Sequence, residues 1–276
     1  MSYCAGCATS SLPQSEPTGY ISTHGAYYSP SPNIDAKDEH SERAILLLTD
    51  DPFENSRILA DNLAIRLDCD VWVPDYFQGP PLNVYPHHRL RRAAGANMGA
   101  YEWIRTKLRR IPLLIKNRPA VIDARLSKFI KALQDEKDYL KIGAVGYCSG
   151  GSTAIRLAST GWIQSVVVCH PRNFKLPEVQ AIRIPCAWIC AEAGRLPDDK
   201  FFSRPLRRKT EATIRCRRNI EHEFMEYKVS DIDEAAFVGT SHGFACSPDL
   251  TVTEMKEAYE AAFEQTVRWF SKTLPV

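Results

Sequence analysis

The chain has 276 residues, 44% of them hydrophobic, and 35 Lys and Arg against 33 Asp and Glu leave a formal charge of +2. Such a balance excludes a general nucleic-acid or polyanion binder and makes a small molecule the expected partner. No apolar stretch reaches the roughly 20 residues of a membrane span, and the N-terminus lacks a basic segment followed by an apolar core, so one large cytosolic (cytoplasmic) α/β domain with no membrane partner is expected.

Residues 1–42 are rich in Ser, Pro, Gly and Tyr without sustained periodicity and read as an irregular arm ahead of a domain over 43–276. Within the arm, Cys4 and Cys7 have zinc-ligand spacing, but no second pair or His-x-x-x-His follows, so no metal site is expected. The total of nine cysteines is odd and comes without an export signal, which predicts reduced thiols. From Ala44 the texture changes. "AILLLTD" has the continuous apolar run of a strand buried on both faces, and "SRILADNLAIRL" follows with helical spacing through Ile58, Leu59, Leu63 and Ile65. "DVWVPDYF" is the next strand, and strand, helix, strand in that order indicates a parallel crossover.

Residues 80–119 carry little strand signal, and from His87 to Arg118 nine Lys or Arg face one acid, Glu102. This stretch reads as a loop-and-helix insertion with a solvated charged face, an anion-binding lid being the alternative. Residues 121–139 place Ile122, Leu126, Phe129, Ile130 and Leu133 on one helical stripe. "KIGAVGY", "SVVVCH", "PCAWICAE" and "EFMEYKV" are further strands. Residues 252–272 close the chain as a helix with Met255, Tyr259, Ala262, Phe263, Thr266 and Phe270 on one face. The alternation predicts a doubly wound, mostly parallel α/β sheet of about seven or eight strands, with ligands at the strands' carboxyl ends.

Gly146-Tyr147-Cys148-Ser149-Gly150 has the form glycine, any residue, nucleophile, any residue, glycine, set between a strand and a helix. Small residues on either side let the chain turn sharply, so the thiol of Cys148 stands at the N-terminus of the following helix. That helix end favours the thiolate, and the N–H of Ser149 can supply half of an oxyanion hole. A thiol nucleophile needs a base. His242, on the loop "GTSHGFAC" after the last strand, has the chain position that the nucleophile, acid, histidine order requires. His222, in the charged run "NIEHEFMEY", reads as a surface residue. His170 ends the "SVVVCH" strand, where it either lines the cleft or serves as a satisfied structural histidine.

Taken together, "LLLTD", "NSRILADNLA", "VWVPDYFQG", "VGYCSGG", "CHP" and "GTSHGFA" resemble the dienelactone hydrolase family, particularly its fungal branch, from about Ala44 to Leu274. The N-terminal "CAGCATSS" with its following "EPTG" is similar to the arm of fungal members. The resemblance implies an α/β-hydrolase fold and a Cys-His-Asp triad with Cys148 as nucleophile and His242 as base, working without a cofactor. It also implies attack on an ester, lactone or thioester carbonyl. Family members often hold an acidic substrate by arginine, and Arg172 and Arg204 are candidates by position, with a surface role as the competing reading of each.

The sequence departs from the family pattern in two places. Where the triad aspartate belongs, in "PCAWICAEAGRLPDD", stands Gly194; Glu192, Asp198 and Asp199 are the nearby carboxylates that could orient His242. The turn after the first strand, "TDDPFENSR", is shorter than the family's Asp-x-Phe-Gly turn and has no glycine, which leaves the second oxyanion donor open. Two alternatives to hydrolysis therefore stand beside it. One is a non-hydrolytic cyclase, isomerase or lyase step in fungal secondary metabolism on the same fold, and the other is an inactive binding module.

Overall fold

The computed structural model describes residues 16–33, 41–49, 54–77, 111–191, 203–217, 219–227, 243–246, 248 and 250–276. Eight strands are described: β1 (Tyr20–Ile21), β2 (Tyr27–Ser29), β3 (Arg43–Leu48), β4 (Asp70–Val73), β5 (Lys141–Tyr147), β6 (Ser165–Cys169), β7 (Cys186–Ala191) and β8 (His222–Tyr227). They form one sheet in the order β1-β2-β4-β3-β5-β6-β7-β8. The hairpin β1–β2 and its junction with β4 are antiparallel, and every other pairing is parallel.

Alternation along the strands builds two cores, one on each face. Ala44, Leu46 and Leu48 of β3 join Trp72, Ile142 and Val168 on one side, while Ile45 and Leu47 join Val71, Val145 and Val167 on the other. The first face is covered by α2 (Pro119–Lys137) through Ile122, Leu126, Ile130 and Leu133, and by α3 (Ser149–Leu157) through Ala154 and Ile155. The short α4 (Leu176–Gln180) and α5 (Arg204–Arg215) add Val179 and Ile214 to the same core. On the second face α1 (Glu54–Leu67) and α6 (Thr253–Thr273) supply Leu59, Leu63, Trp269 and Phe270. Both faces of the parallel sheet are thus dry, which is why its strands read as unbroken apolar runs.

Three expectations are corrected. Residues 20–29, taken as part of an irregular arm, are a β-hairpin closed by Gly25 at φ 74°; strands of two and three residues are too short to display a period. Ile65 is 60% exposed, because it lies two residues, about 200° of helix, from Leu63 on the buried stripe. In α6 the buried face is Ala258, Ala262, Gln265, Thr266, Val267, Trp269 and Phe270, with Met255 and Phe263 only partly covered. Residues 1–15 and most of the 80–119 segment, including Cys4 and Cys7, lie outside the described residues; residues 111–116 are helical.

Two buried carboxylates hold the hairpin, Asp70 from β4 and Asp61 from α1. Asp70 is fully buried and accepts from the Tyr28 hydroxyl at 3.0 Å, the Tyr139 hydroxyl at 2.6 Å and the Ser31 amide at 3.0 Å. Trp72 Nε1 donates in turn to Tyr139 at 2.9 Å. Asp61 accepts from the Tyr27 hydroxyl and from the Thr18 amide at 2.7 Å.

Asp70→Ala strands three buried donors, so it is expected to cost roughly 2–4 kcal/mol in urea unfolding and to speed proteolysis within residues 16–33. An unchanged midpoint would remove the network from its place as the hairpin's anchor. A second expectation concerns alkaline pH. Burial pushes the Cys186 thiol up to about 11 and the Cys69 thiol up to about 12 from 9.0, and raises the Tyr139 and Tyr147 phenols above 10.0. The unfolded chain therefore releases these protons first. The groups' stabilisation is fully present below pH 9.0 and is lost as pH rises toward 11–12, at roughly 1.4 kcal/mol per pH unit for each group still protonated in the folded state. The melting temperature should fall through that window, with the tyrosinate absorbance of the buried phenols appearing only on unfolding.

Candidate active site

Cys148 sits at the junction of β5 and α3 with φ 54° and ψ −118°, a conformation that a residue with a Cβ rarely adopts. Three sets of contacts hold it there. A Cβ on Gly146 would stand 2.4 Å from the Gly150 carbonyl oxygen, so the turn closes only with glycine at 146. At Gly150 a Cβ would meet the Leu48 carbonyl oxygen at 2.0 Å, so the helix start rests directly on the end of β3. The Cys148 amide donates to the Cys169 carbonyl at 3.3 Å, and its own carbonyl accepts from Gly151 at 3.1 Å and from Arg172 at 3.2 Å.

The next strand end brings the imidazole. His170 follows β6 with φ 34° and is 2% exposed, and its amide donates to Ile189 at 2.8 Å. Its Nδ1 lies 3.5 Å from the Cys148 sulfur. The ring is held between Tyr147 and Phe244, with centroids 6.1 Å and 5.9 Å away. Phe244 is 1% exposed and also meets the Tyr227 ring at the end of β8, so the segment Gly243–Cys246 is seated over the same strand ends. Gly243 makes the bend at φ 101°, and its carbonyl accepts from Cys246 Sγ at 3.5 Å. The ligating atoms of Cys148, His170 and Cys246 all lie within 4.8 Å of one another.

The structure thus places a buried thiol on a strained strand-to-helix turn, beside an imidazole, at the strand ends of an eight-stranded sheet, and similarity to known proteins identifies the chain's lineage. Residues 105–274, more than half of the chain, match the model of the dienelactone hydrolase family. The chain belongs to the dienelactone hydrolase family. Among curated proteins it is 28% identical to "Hydrolase tropI" of Talaromyces stipitatus over 85% of this chain and 83% of that one. It is also 28% identical to "Hydrolase pyvD" of Aspergillus violaceofuscus over 97% and 96%. Both relatives are fungal. Among solved structures, a putative dienelactone hydrolase from Klebsiella pneumoniae superimposes with a TM-score of 0.63 at 14% identity, covering 90% of this chain and 92% of that chain. That likeness, together with the sheet order, establishes the α/β-hydrolase fold.

Cys148 is at the elbow, the turn between β5 and α3, and Ser149 is the first residue of α3. His242, Glu192, Asp198 and Asp199, together with the turn Asp50–Phe53, lie outside the described residues. Of the two arginines, Arg204 begins α5 and is exposed, whereas Arg172 is only 5% exposed, which corrects its surface reading. Arg172 is drawn inward because its backbone braces the elbow, its amide donating to Cys148 and its carbonyl accepting the Ser152 hydroxyl. His222 is half-buried at the start of β8, at the opposite end of the strands from Cys148, with Nδ1 3.0 Å from the Ile220 carbonyl oxygen. Sequence reasoning left His170 between two readings and gave Cys246 no role. For His170 the signal was its position just past the carboxyl end of the strand next to β5; for Cys246 there was none.

The glycine contacts make the elbow testable without reference to any substrate. Gly150→Ala drives a methyl group into the Leu48 backbone and should lower stability by more than the roughly 1–3 kcal/mol of ordinary overpacking. Gly151→Ala, whose Cβ would meet its neighbours at 3.1 Å, should cost less. Equal denaturation midpoints for the two variants would show that the helix start is not locked against β3.

Proposed function

We propose that this chain hydrolyses a small ester, lactone or thioester by attack of the Cys148 sulfur on the carbonyl carbon. The observation that carries the proposal is the Cys148 thiol, held at a positive φ at the head of α3, with an imidazole nitrogen 3.5 Å from its sulfur. Membership of the dienelactone hydrolase family supports hydrolysis, as do two relatives named as hydrolases. In this reading a histidine takes the thiol proton and the thiolate forms a tetrahedral adduct. The alcohol or thiol leaves with the proton, and water then cleaves the thioester. Ser149 opens α3, where the first N–H groups have no intrahelical acceptor, so its amide is aimed to stabilise the oxyanion.

His242 is assigned as the base. It precedes Gly243 in the chain, and the segment Gly243–Cys246 is packed against the His170 ring and brings Cys246 to the Cys148 sulfur. Glu192 or Asp198 orients it. The 3.5 Å contact supports a second assignment, with His170 as the base. The two give opposite results. With His242 as base, His242→Ala lowers turnover of p-nitrophenyl esters by roughly 10²–10⁴-fold and His170→Ala by much less; the reverse ranking gives the role to His170. Between the acids, Glu192→Gln and Asp198→Asn separate in the same way, since removing the orienting residue costs far more activity.

The nucleophile itself is tested by alkylation. Burial pushes the Cys69, Cys169, Cys186 and Cys190 thiols up, so iodoacetamide at neutral pH should modify Cys148 well ahead of these four, and Cys148→Ala should abolish hydrolysis. Full turnover by Cys148→Ala would overturn the proposal.

A further inference from the structure

Cys246 has no part in the hydrolytic steps, yet its sulfur is within 4.8 Å of both the Cys148 sulfur and the His170 Nδ1. Neither cysteine is in a disulfide. Two thiols and one imidazole are the donor set that soft thiolate-binding metals take, and three protein ligands leave a fourth tetrahedral position for water. Metal–sulfur and metal–nitrogen bonds of zinc place adjacent sulfur and nitrogen ligands about 3.6 Å apart at the tetrahedral angle. The Cys148–His170 separation is 3.5 Å. The three groups come from three separate segments: the β5–α3 elbow, the end of β6 and the Gly243–Cys246 turn. Cys148 and His170 are fixed by backbone hydrogen bonds that do not involve their side chains, and Phe244 fixes the third segment by packing. An ion arriving here finds two of its ligands already spaced for it, and a small closing movement of Cys246 supplies the third.

We infer that Cys148, His170 and Cys246 form a binding site for a soft divalent metal ion, zinc in particular. Binding exchanges two protons for one cation: each thiol loses its proton to solvent as its sulfur bonds to the metal, and His170 binds through Nδ1 as the neutral imidazole. No oxidant or reductant is involved. An occupied site ties up the Cys148 lone pair, so zinc is a reversible inhibitor; that consequence, unlike the binding itself, rests on Cys148 being the nucleophile.

The test is spectroscopic and uses the full-length protein without substrate. Titration with Co²⁺ under reducing conditions should give a thiolate-to-cobalt charge-transfer band that saturates at one ion per chain, and Zn²⁺ should erase it by displacement. Cys246→Ser and Cys148→Ser should each lose the band. His170→Gln, which keeps both sulfurs, should shift the ligand-field bands and weaken binding at least tenfold. Zn²⁺ should also protect Cys148 from iodoacetamide, and EDTA should restore the labelling. A Cys4→Ser/Cys7→Ser variant, which removes the cysteine pair with zinc-ligand spacing in the sequence, should keep the band. The inference is overturned if wild type gives no thiolate band, if the band survives in correctly folded Cys246→Ser, or if it disappears with Cys4 and Cys7. Each of those results leaves the hydrolysis tests untouched, and failure of hydrolysis leaves the titration interpretable.

Discussion

The contact on which the site depends is the one between Gly150 and the end of β3. The start of α3 lies so close to the Leu48 carbonyl that no side chain fits between them, and Gly146 permits the matching approach from the other side of the turn. Between these two glycines Cys148 adopts a positive φ. Strain of this kind costs on the order of 1–3 kcal/mol and persists only where the surroundings over-determine it. Here the surroundings are the amide and carbonyl of Cys148 itself, tied to Cys169, Gly151 and Arg172. The chain at the elbow is therefore held by backbone hydrogen bonds, independently of the side chains that meet the sulfur.

The sheet order explains why the partners converge. β5 lies between β3 and β6, so the chain leaves the sheet at Cys148 with the ends of those two strands on either side. β6 delivers His170 at the neighbouring exit, and β8 ends at Tyr227, whose ring packs on Phe244. Parallel pairing from β4 to β8 puts every one of these exits at the same edge. The hairpin, in turn, is held by hydrogen bonds to Asp70 of β4 and Asp61 of α1, which keep two carboxylates satisfied in a dry interior.

Most of the fold was legible in the sequence because its periods are long and its core strands are apolar on both faces. β3, β5, β6 and β7 are unbroken runs, and α2 shows its stripe without ambiguity. The β1–β2 hairpin was not legible, since two or three paired residues carry no period and its anchors, Asp61 and Asp70, are recognisable only once Tyr27, Tyr28 and Tyr139 are seen to reach them. The elbow was legible because its glycines are a local steric requirement, expressed within five residues. The grouping of Cys148 with His170 and Cys246 was not, because its members lie 22 and 98 residues beyond Cys148 in the chain and it depends on which strands are neighbours. A histidine just past a strand end gains meaning only when that strand is known to pair with the one that leads into Cys148.

The chain's cysteines show how little burial alone says about reactivity. Cys69, Cys169, Cys186 and Cys190 are all fully buried and Cys148 is 6% exposed, so accessibility barely separates them. Their surroundings do. Cys169, Cys186 and Cys190 lie within strands, Cys69 lies just before β4, and burial holds all four thiols in the neutral form, which neither attacks a carbonyl nor binds a metal. Cys148 leaves the sheet at a helix N-terminus and has the His170 Nδ1 3.5 Å from its sulfur. Any arrangement that makes a sulfur lone pair available beside an imidazole offers that lone pair to electrophilic carbon and to a soft cation alike. A second sulfur within 4.8 Å, contributed by a different segment, tilts the competition toward the cation whenever one is present. The features by which this thiol would serve the proposed acyl transfer are therefore the same ones that would expose it to capture by metal.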